Sequence, residues 1–268
     1  MRVLKQVKRL ALTTLARVSE HRVLSERGLD QIDPQDFRLS LLRPGDYYRR
    51  AHRYFHLELK EDIRTHRLYF RQERRGFGED AFHTMWWFLL KRFRPSNFLE
   101  IGVYRGQTLS LAALISRDQG FGCDVHGISP LSAVGDSVSE YIERIDYKPD
   151  VFSHFDHFSL PHPTLLRAYS TDPEALAHVG SRFWDMIYID GNHDYEVVAK
   201  DWATCSVHVR PGGCIVLDDS ALGSNYHPPF FATAGHQGPS KVAAEVDPEA
   251  FTEILQVGHN RVFLRNES

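Results

Sequence analysis

Two stretches decide the fold: FWDMIYIDGNHDYE, residues 183–196, and CIVLDD, residues 214–219. In each, an apolar run ends on acid. Asp190 closes the first; Asp218 and Asp219 close the second. Short apolar runs bounded by turn residues read as strands buried on both faces, the kind found in parallel sheets. YEVVAKDWATCSVHV (195–209) lies between them and reads as a helix, so the unit is strand, helix, strand. Carboxylates at the tips of buried strands are costly unless something compensates them.

The same alternation extends outward. Upstream, NFLEIGV (97–103) reads as a strand and GQTLSLAALISRD (106–118) as a helix. DVHGIS (124–129) is a strand, with a helix expected over 136–145 and a loop over 150–162 holding His154, His157 and His162. PTLLRAYS (163–170) contains a strand and DPEALAHVG (172–180) a short helix. Downstream, PGG (211–213) reads as a turn, 220–239 as a Gly/Pro/His-rich loop, and KVAAEVDPEAFTEIL (241–255) as a helix. A hairpin-like pair follows around QVGHNRVFLR. This order predicts an α/β fold: a doubly wound, Rossmann-like, mostly parallel seven-stranded sheet with helices on both faces. Residues 79–93, EDAFHTMWWFLLKRF, read as a firm helix ended by Pro95, with Trp86, Trp87 and Phe88 as core. Before it, 1–28 reads as a helix with a stop near Gly28, 29–46 as loop, and 47–75 as roughly helical through Tyr48, His52, Phe55, Leu57 and Ile63. The expected division is a helical extension over 1–78, serving as cap or oligomerisation element, and one domain over 79–268.

The chain of 268 residues, 42% of them hydrophobic, can build one sizeable core. Its net charge is −3, unevenly spread: residues 1–95 hold 21 Lys and Arg against 12 Asp and Glu, while the remainder is acidic. A basic helical layer against an acidic one accounts for this better than a nucleic-acid surface, because the basic residues form no compact run. Cys123, Cys205 and Cys214 are odd in number and make no CxxC, which fits a reducing, cytoplasmic setting. No apolar run reaches the roughly 20 residues of a membrane span. The N-terminus, MRVLKQVKRLALTTLARV, is basic and weakly amphipathic and reads as a packing helix, within the domain or against a second copy, ahead of a membrane-surface one.

In such sheets ligands sit beyond the carboxyl ends of the strands. The first strand runs into Glu100-Ile-Gly102-Val-Tyr104-Arg-Gly106. The glycines let backbone approach a ligand, and the acid ahead of them suits a cation, not a pyrophosphate. Asp190, Asp218 and Asp219 belong at the same crevice. Three close carboxylates repel, and a divalent cation resolves the conflict; all-oxygen donors favour Mg2+. Hydrogen-bonded acids at turns and helix N-termini are the alternative.

FLEIGVYRGQTL, VHGISP, WDMIYIDGNHDYEVVAKD and VRPGGCIVLDD resemble, in order and spacing, the class I S-adenosylmethionine (SAM)-dependent methyltransferases. The resemblance covers about 80–268. It implies that Glu100, Gly102, Tyr104, Gly106, Ser129, Ser170 and Asp190 bind the cofactor, with Glu100 toward its ammonium group. Ser129 stands where many members carry an acid for the ribose hydroxyls; a lone hydroxyl cannot make the same paired contact, and Asp136 in the next loop is the other candidate. The strand-end IDG and later DD are similar to the metal-dependent macrocin and mycinamicin-type sugar O-methyltransferases. That implies a Mg2+ site of Asp190, Asp218 and Asp219, with His193 as general base. The expected function is methyl transfer from SAM to a hydroxyl of a sugar-containing small molecule, by an enzyme expected to be a homo-oligomer. Asp194 is placed to cap the helix from Tyr195. Tyr226, His227, Pro228, Pro229, Phe230 and Phe231 form a candidate lid, and the His154/His157/His162 group reads as substrate wall or surface ahead of a second metal site. Three alternatives stay open: a catechol-type enzyme, a non-methylating partner subunit with this fold, and a nucleic-acid methyltransferase, which the absence of a (D/N)PPY-type tetrapeptide weighs against.

Overall fold

The computed structural model describes residues 2–26, 32–135 and 141–267. Its centre is one seven-stranded sheet: β1 (Asn97–Ile101), β2 (Asp124–Ser129), β3 (Thr164–Arg167), β4 (Trp184–Ile189), β5 (Val209–Leu217), β6 (Phe251–Val257) and β7 (Asn260–Arg265). The order is β3-β2-β1-β4-β5-β7-β6, with β7 antiparallel to its neighbours and the first five strands parallel. This is the expected doubly wound fold. Strand order reverses between β1 and β4, which is where such sheets open a crevice.

Alternation along each strand assigns the two faces. Phe98, Met186, Tyr188, Cys214 and Val216 join one core cluster; Leu99, Ile101, Ile187, Ile189, Ile215 and Leu217 join the other. The second face is covered by α8 (Pro173–Val179), α9 (Tyr195–His208) and α10 (Gln237–Ala244), whose Ala175, Val198 and Val242 are buried there. The first face carries α5 (Asp80–Phe93) and α6 (Gln107–Asp118).

Every residue of α5 from Asp80 to Leu90 is buried. A helix buried all round needs cover on its outer side. That cover is α3 (Pro44–Leu57) and α4 (Glu61–Arg71), which present Tyr47, Tyr48, Ala51, Phe55, Ile63 and Phe70. The Thr84 hydroxyl donates to the Ala51 carbonyl at 2.8 Å across this seam. Ahead of them run α1 (Arg2–Ser25) and α2 (Arg38–Leu42). The Arg53 guanidinium donates to the carbonyls of Leu24 and Glu26 at 2.6 and 3.0 Å, satisfying the C-terminal end of α1. Among the described residues no helix is long and apolar enough to cross a membrane.

Several local readings of the sequence are corrected. The helix expected over 136–145 is not formed at 141–145, and 136–140 lie outside the described residues. The helix comes later, as α7 (Tyr147–His157), within the stretch read as a loop. The helix expected over 241–255 stops at Ala244. Pro248 denies its continuation a backbone donor, and β6 begins at Phe251, pairing with β7 through a longer hairpin than expected. Residues 29–46 contain α2 and the start of α3, whose Pro44 sits at N1 with its fixed φ. The PGG turn is instead the start of β5, where register shifts between Trp184 and Met186. The expected stop at Gly28 lies outside the described residues.

Candidate active site

Three strand ends are tied edge to edge. The Gly102 N–H donates to Ile128 O at 2.9 Å, Asp190 N–H to Ile101 O at 2.8 Å, and Asp218 N–H to Ile189 O at 3.0 Å. The chain can pass this closely only because Gly102 has no side chain. Its φ is +100°, and a Cβ there would lie 1.9 Å from the Asp190 carbonyl oxygen. Gly106, at φ +76°, caps α6, where a Cβ would press Val151 at 2.8 Å.

Glu100 points from β1 to the α5/α6 side and is 3% exposed. The Leu109 N–H, one of the free donors of the first turn of α6, reaches its carboxyl. Its Oε2 is buried with no hydrogen-bond partner. Burial, assisted by the Asp218 charge, pushes its pKa up to about 8. A buried carboxyl with an orphaned oxygen at a cavity wall is suited to a ligand cation. Tyr104 stacks toward Phe77 at 4.8 Å between ring centres, and its hydroxyl also lacks a partner. Ser129 ends β2 and spends its hydroxyl on the Leu131 N–H at 3.4 Å. Ser170 follows β3 and bonds to the carboxyl of Asp201, which burial raises to about 6. Asp136 lies outside the described residues.

The three acids meet as expected from the strand register, but with partners that were not expected. Asp190 shares a hydrogen bond with Asp218. Burial and the Asp218 charge push Asp190 far above the usual carboxylate range, so Asp190 holds the shared proton. His259, from the turn between β6 and β7, places Nε2 at 3.3 Å from Asp218 Oδ1 and 3.7 Å from Asp219 Oδ1. Burial opposes a charge on His259, but the Asp218 carboxylate outweighs it and lifts the imidazole to about 10. Asp218 Oδ1 is itself buried, with the His259 ring nitrogen beside it. His193 Nε2 stands 2.8 Å from Asp219 Oδ2, and His236 Nε2 3.8 Å from the same oxygen. Single ligand atoms of Asp218, Asp219 and His259 lie within 4.8 Å of one another, as do those of His193, Asp219 and His236. Backbone bonds pin these partners in place: His236 N–H to Asp219 O and Ser220 N–H to His259 O, both at 2.8 Å.

All these groups face one cavity of about 670 Å3, lined by Glu100, Gly102, Tyr104, Ser129, Ser170, Asp190, His193, Asp218 and Asp219 among others. Gly106 adjoins it through Arg105 and Gln107. His259, Glu79, Phe77 and Phe82 also line it and were missed in the sequence. His259 stands in the turn of the hairpin expected around QVGHNRVFLR; what the sequence left open was that β7 pairs antiparallel with β5 and so brings this turn to the acids. Other expectations need correction. Of loop 220–239, Thr233 and His236 line the cavity, whereas Tyr226 is buried against Tyr48 and Phe231 packs on Tyr48 and His52. His154 is a buried partner of Tyr69, at 2.8 Å, His157 stacks on Tyr69, and His162 pairs with Asp156; none lines the cavity. Asp194 occupies the N-cap of α9 but makes no side-chain cap bond.

The donors fit the groups implied by the sequence. The strand-end acids offer oxygen donors, Asp218 Oδ1 among them, to a hard divalent cation. The glycine loop and the orphaned Glu100 oxygen fit the amino-acid end of a cationic cofactor.

Comparison with known proteins agrees. Residues 99–220 match the family model of a methyltransferase domain. No curated protein matches the chain. Among solved structures, the chain is similar to an S-adenosylhomocysteine (SAH)-bound methyltransferase of Podospora anserina. The identity is 14%, covering 81% of this chain and 94% of that one, at a TM-score of 0.56. An O-methyltransferase of Bacillus cereus in complex with SAH is 14% identical over 78% and 93%, with a TM-score of 0.51. The O-methyltransferase TomG of Streptomyces achromogenes, involved in tomaymycin synthesis and bound to SAM, is 15% identical over 80% and 94%, with a TM-score of 0.50. The matched stretch runs from β1 to just past β5, and the solved structures share the fold around it.

Proposed function

We propose that the protein is a SAM-dependent O-methyltransferase that uses a divalent cation, Mg2+ first, and methylates a hydroxyl of a sugar-containing small molecule. One observation carries the reading: the Glu100–Gly106 loop and the Asp190/Asp218/Asp219/His193 group open into the same cavity. The Bacillus and Streptomyces neighbours are O-methyltransferases, which supports O-methyl transfer here. Residues 79–268 are read as the catalytic domain and 1–78 as its helical cap.

The bound groups would supply an electrophilic methyl and a Lewis acid that lowers the pKa of an acceptor hydroxyl. Glu100 holds a cationic ligand group from beneath, and the open backbone at Gly102 lets it come close. Asp190, Asp218 and Asp219 would hold the cation, with the Asp190 proton released to solvent when it is bound. His193, oriented by Asp219 as a carboxylate orients an imidazole in a catalytic triad, accepts the hydroxyl proton. The cavity walls exclude water and keep acceptor and donor aligned.

A second reading changes the acceptor to a vicinal diphenol. The Phe77–Tyr104 ring pair on the cavity wall favours it, since a flat aromatic acceptor would stack there. Transfer of radiolabelled methyl from SAM to a panel of glycosides and a catechol, with and without Mg2+, tests both. Mg2+-dependent labelling of glycosides alone supports the first reading and labelling of the catechol alone the second. No transfer to any hydroxyl acceptor would overturn both.

A further inference from the structure

Away from the cavity, four side chains converge from three helices: Glu20 of α1, His52 and His56 of α3, and Asp80 of α5. One ligand atom from each lies within 4.8 Å of all the others. His52 and His56 are four residues apart and therefore share a helical face, their ring centres 4.8 Å apart. His56 Nε2 stands 3.1 Å from Asp80 Oδ2, and His52 Nε2 3.9 Å from Glu20 Oε1.

Two features separate this group from an ordinary buried polar cluster. His52 is 3% exposed, yet its Nε2 has no hydrogen-bond partner, while the buried Nε2 of His56 has the Asp80 carboxylate beside it. An unpaired buried ring nitrogen is costly, and a second imidazole and two carboxylates stand close enough to share an ion with it. The spacing supplies a second argument. Two donors roughly 2.0–2.1 Å from a tetrahedral ion stand about 3.3 Å apart. The His56–Asp80 separation of 3.1 Å fits shared ligation.

The surroundings suit an ion as well. Arg67 Nε donates to Asp80 Oδ1 at 2.9 Å, which orients the carboxylate and leaves Oδ2 to face the histidines, as outer partners of metal ligands do. Arg71 lies 3.7 Å from Oδ2, but its side chain is 46% exposed and is free to turn outward. Burial lowers the His52 pKa to about 4, so the ring is neutral near pH 7, the form that binds metal. Two imidazoles with two carboxylates select a borderline transition ion over Mg2+, which wants an octahedron of oxygens.

We propose that Glu20, His52, His56 and Asp80 form a tetrahedral site for a divalent transition ion, Zn2+ being the best match, that fastens α1 onto α3 and α5. The site is independent of the methyl-transfer reading.

Co2+ is the probe, because tetrahedral Co2+ has an intense visible spectrum. The full-length protein carries Asp219→Asn, which removes a carboxylate from both other groups able to hold an ion. The expected result is one tetrahedral Co2+ per chain, displaced by Zn2+ and not by excess Mg2+. Adding His56→Gln, or separately Glu20→Gln, is expected to weaken Co2+ binding at least about tenfold. The Glu20 side chain is 28% exposed, so its replacement leaves the core intact and guards against a folding artefact. Absence of tetrahedral Co2+ in the parent protein, or unchanged affinity in either variant, would overturn the proposal.

Discussion

Glu100→Gln offers a quantitative test of how the cofactor loop is built. Glu100 is 3% exposed, and its pKa lies near 8 against 4.5 for a free glutamate. A carboxyl whose folded pKa is raised is stabilising in its protonated form only. Its burial costs nothing below the unfolded pKa, and stability falls as pH rises from 4.5 to 8. Each pH unit in that window costs about 1.4 kcal/mol. The cost is therefore about 1 kcal/mol at pH 5, about 3 at pH 7, and about 5 above pH 8. Gln keeps the shape and an oxygen for the Leu109 N–H but does not ionise. The variant should gain on the wild type as pH rises, by about 3 kcal/mol at pH 7, or roughly 6–12 °C in Tm. Urea unfolding of both proteins at pH 5, 6, 7 and 8 reads this directly, and groups common to both cancel. SAH affinity should move the other way, falling in the variant because Gln cannot give up a proton to solvent and become the anion that faces the ligand's cationic group. Stability curves that stay parallel across pH would refute the argument.

Other expectations follow from the same geometry. Gly102→Ala should cost more than about 3 kcal/mol and abolish SAH binding, because its Cβ would collide with the Asp190 carbonyl. Gly120→Ala, also at positive φ but with open space around it, should cost about 1–2 kcal/mol; thermal melts of the two make the comparison. His193→Ala should lower kcat by roughly 10²–10⁴-fold and leave SAH affinity unchanged, as steady-state kinetics and calorimetry would show. Arg105→Met removes both hydrogen bonds to Asp150, at 2.6 and 2.8 Å, and should cost about 3 kcal/mol in urea unfolding at pH 7. Burial raises the Asp150 pKa, but Arg105 and His154 together outweigh it and hold it down to about 2, so this loss should be full above pH 4 and shrink as pH falls toward 2.

The parallel half of the sheet was legible because each strand carries its own signal, an apolar run between turn residues, closed by glycine after β1 and by acid after β4 and β5. Convergence of Glu100, Asp190, His193, Asp218 and Asp219 followed from that order alone, since strand ends of one parallel sheet share an edge. What could not be read depends on tertiary context. β6 is formed by FTEILQV, whose glutamate and leucine suit a helix equally; pairing with β7 decides the outcome. His259 sits in the turn of the expected hairpin but joins the acids only because β7 pairs with β5, an order the sequence did not announce. Burial of Asp80–Leu90 on every side depends on α3 and α4, whose own sequence gives only a loose helical rhythm. The aromatic residues of loop 220–239 looked like a ligand platform, yet Tyr226 and Phe231 are drawn into the core by Tyr48 and His52, a contact that sequence spacing does not announce.

The most direct test of the central claim is calorimetric titration of SAH, followed by Mg2+, into the wild type and Asp218→Ala. The account predicts that SAH binds both proteins and that Mg2+ binds the wild type alone. Failure of SAH to bind the wild type would contradict the cofactor assignment, and equal Mg2+ binding by the two proteins would contradict a metal held by the strand-end acids.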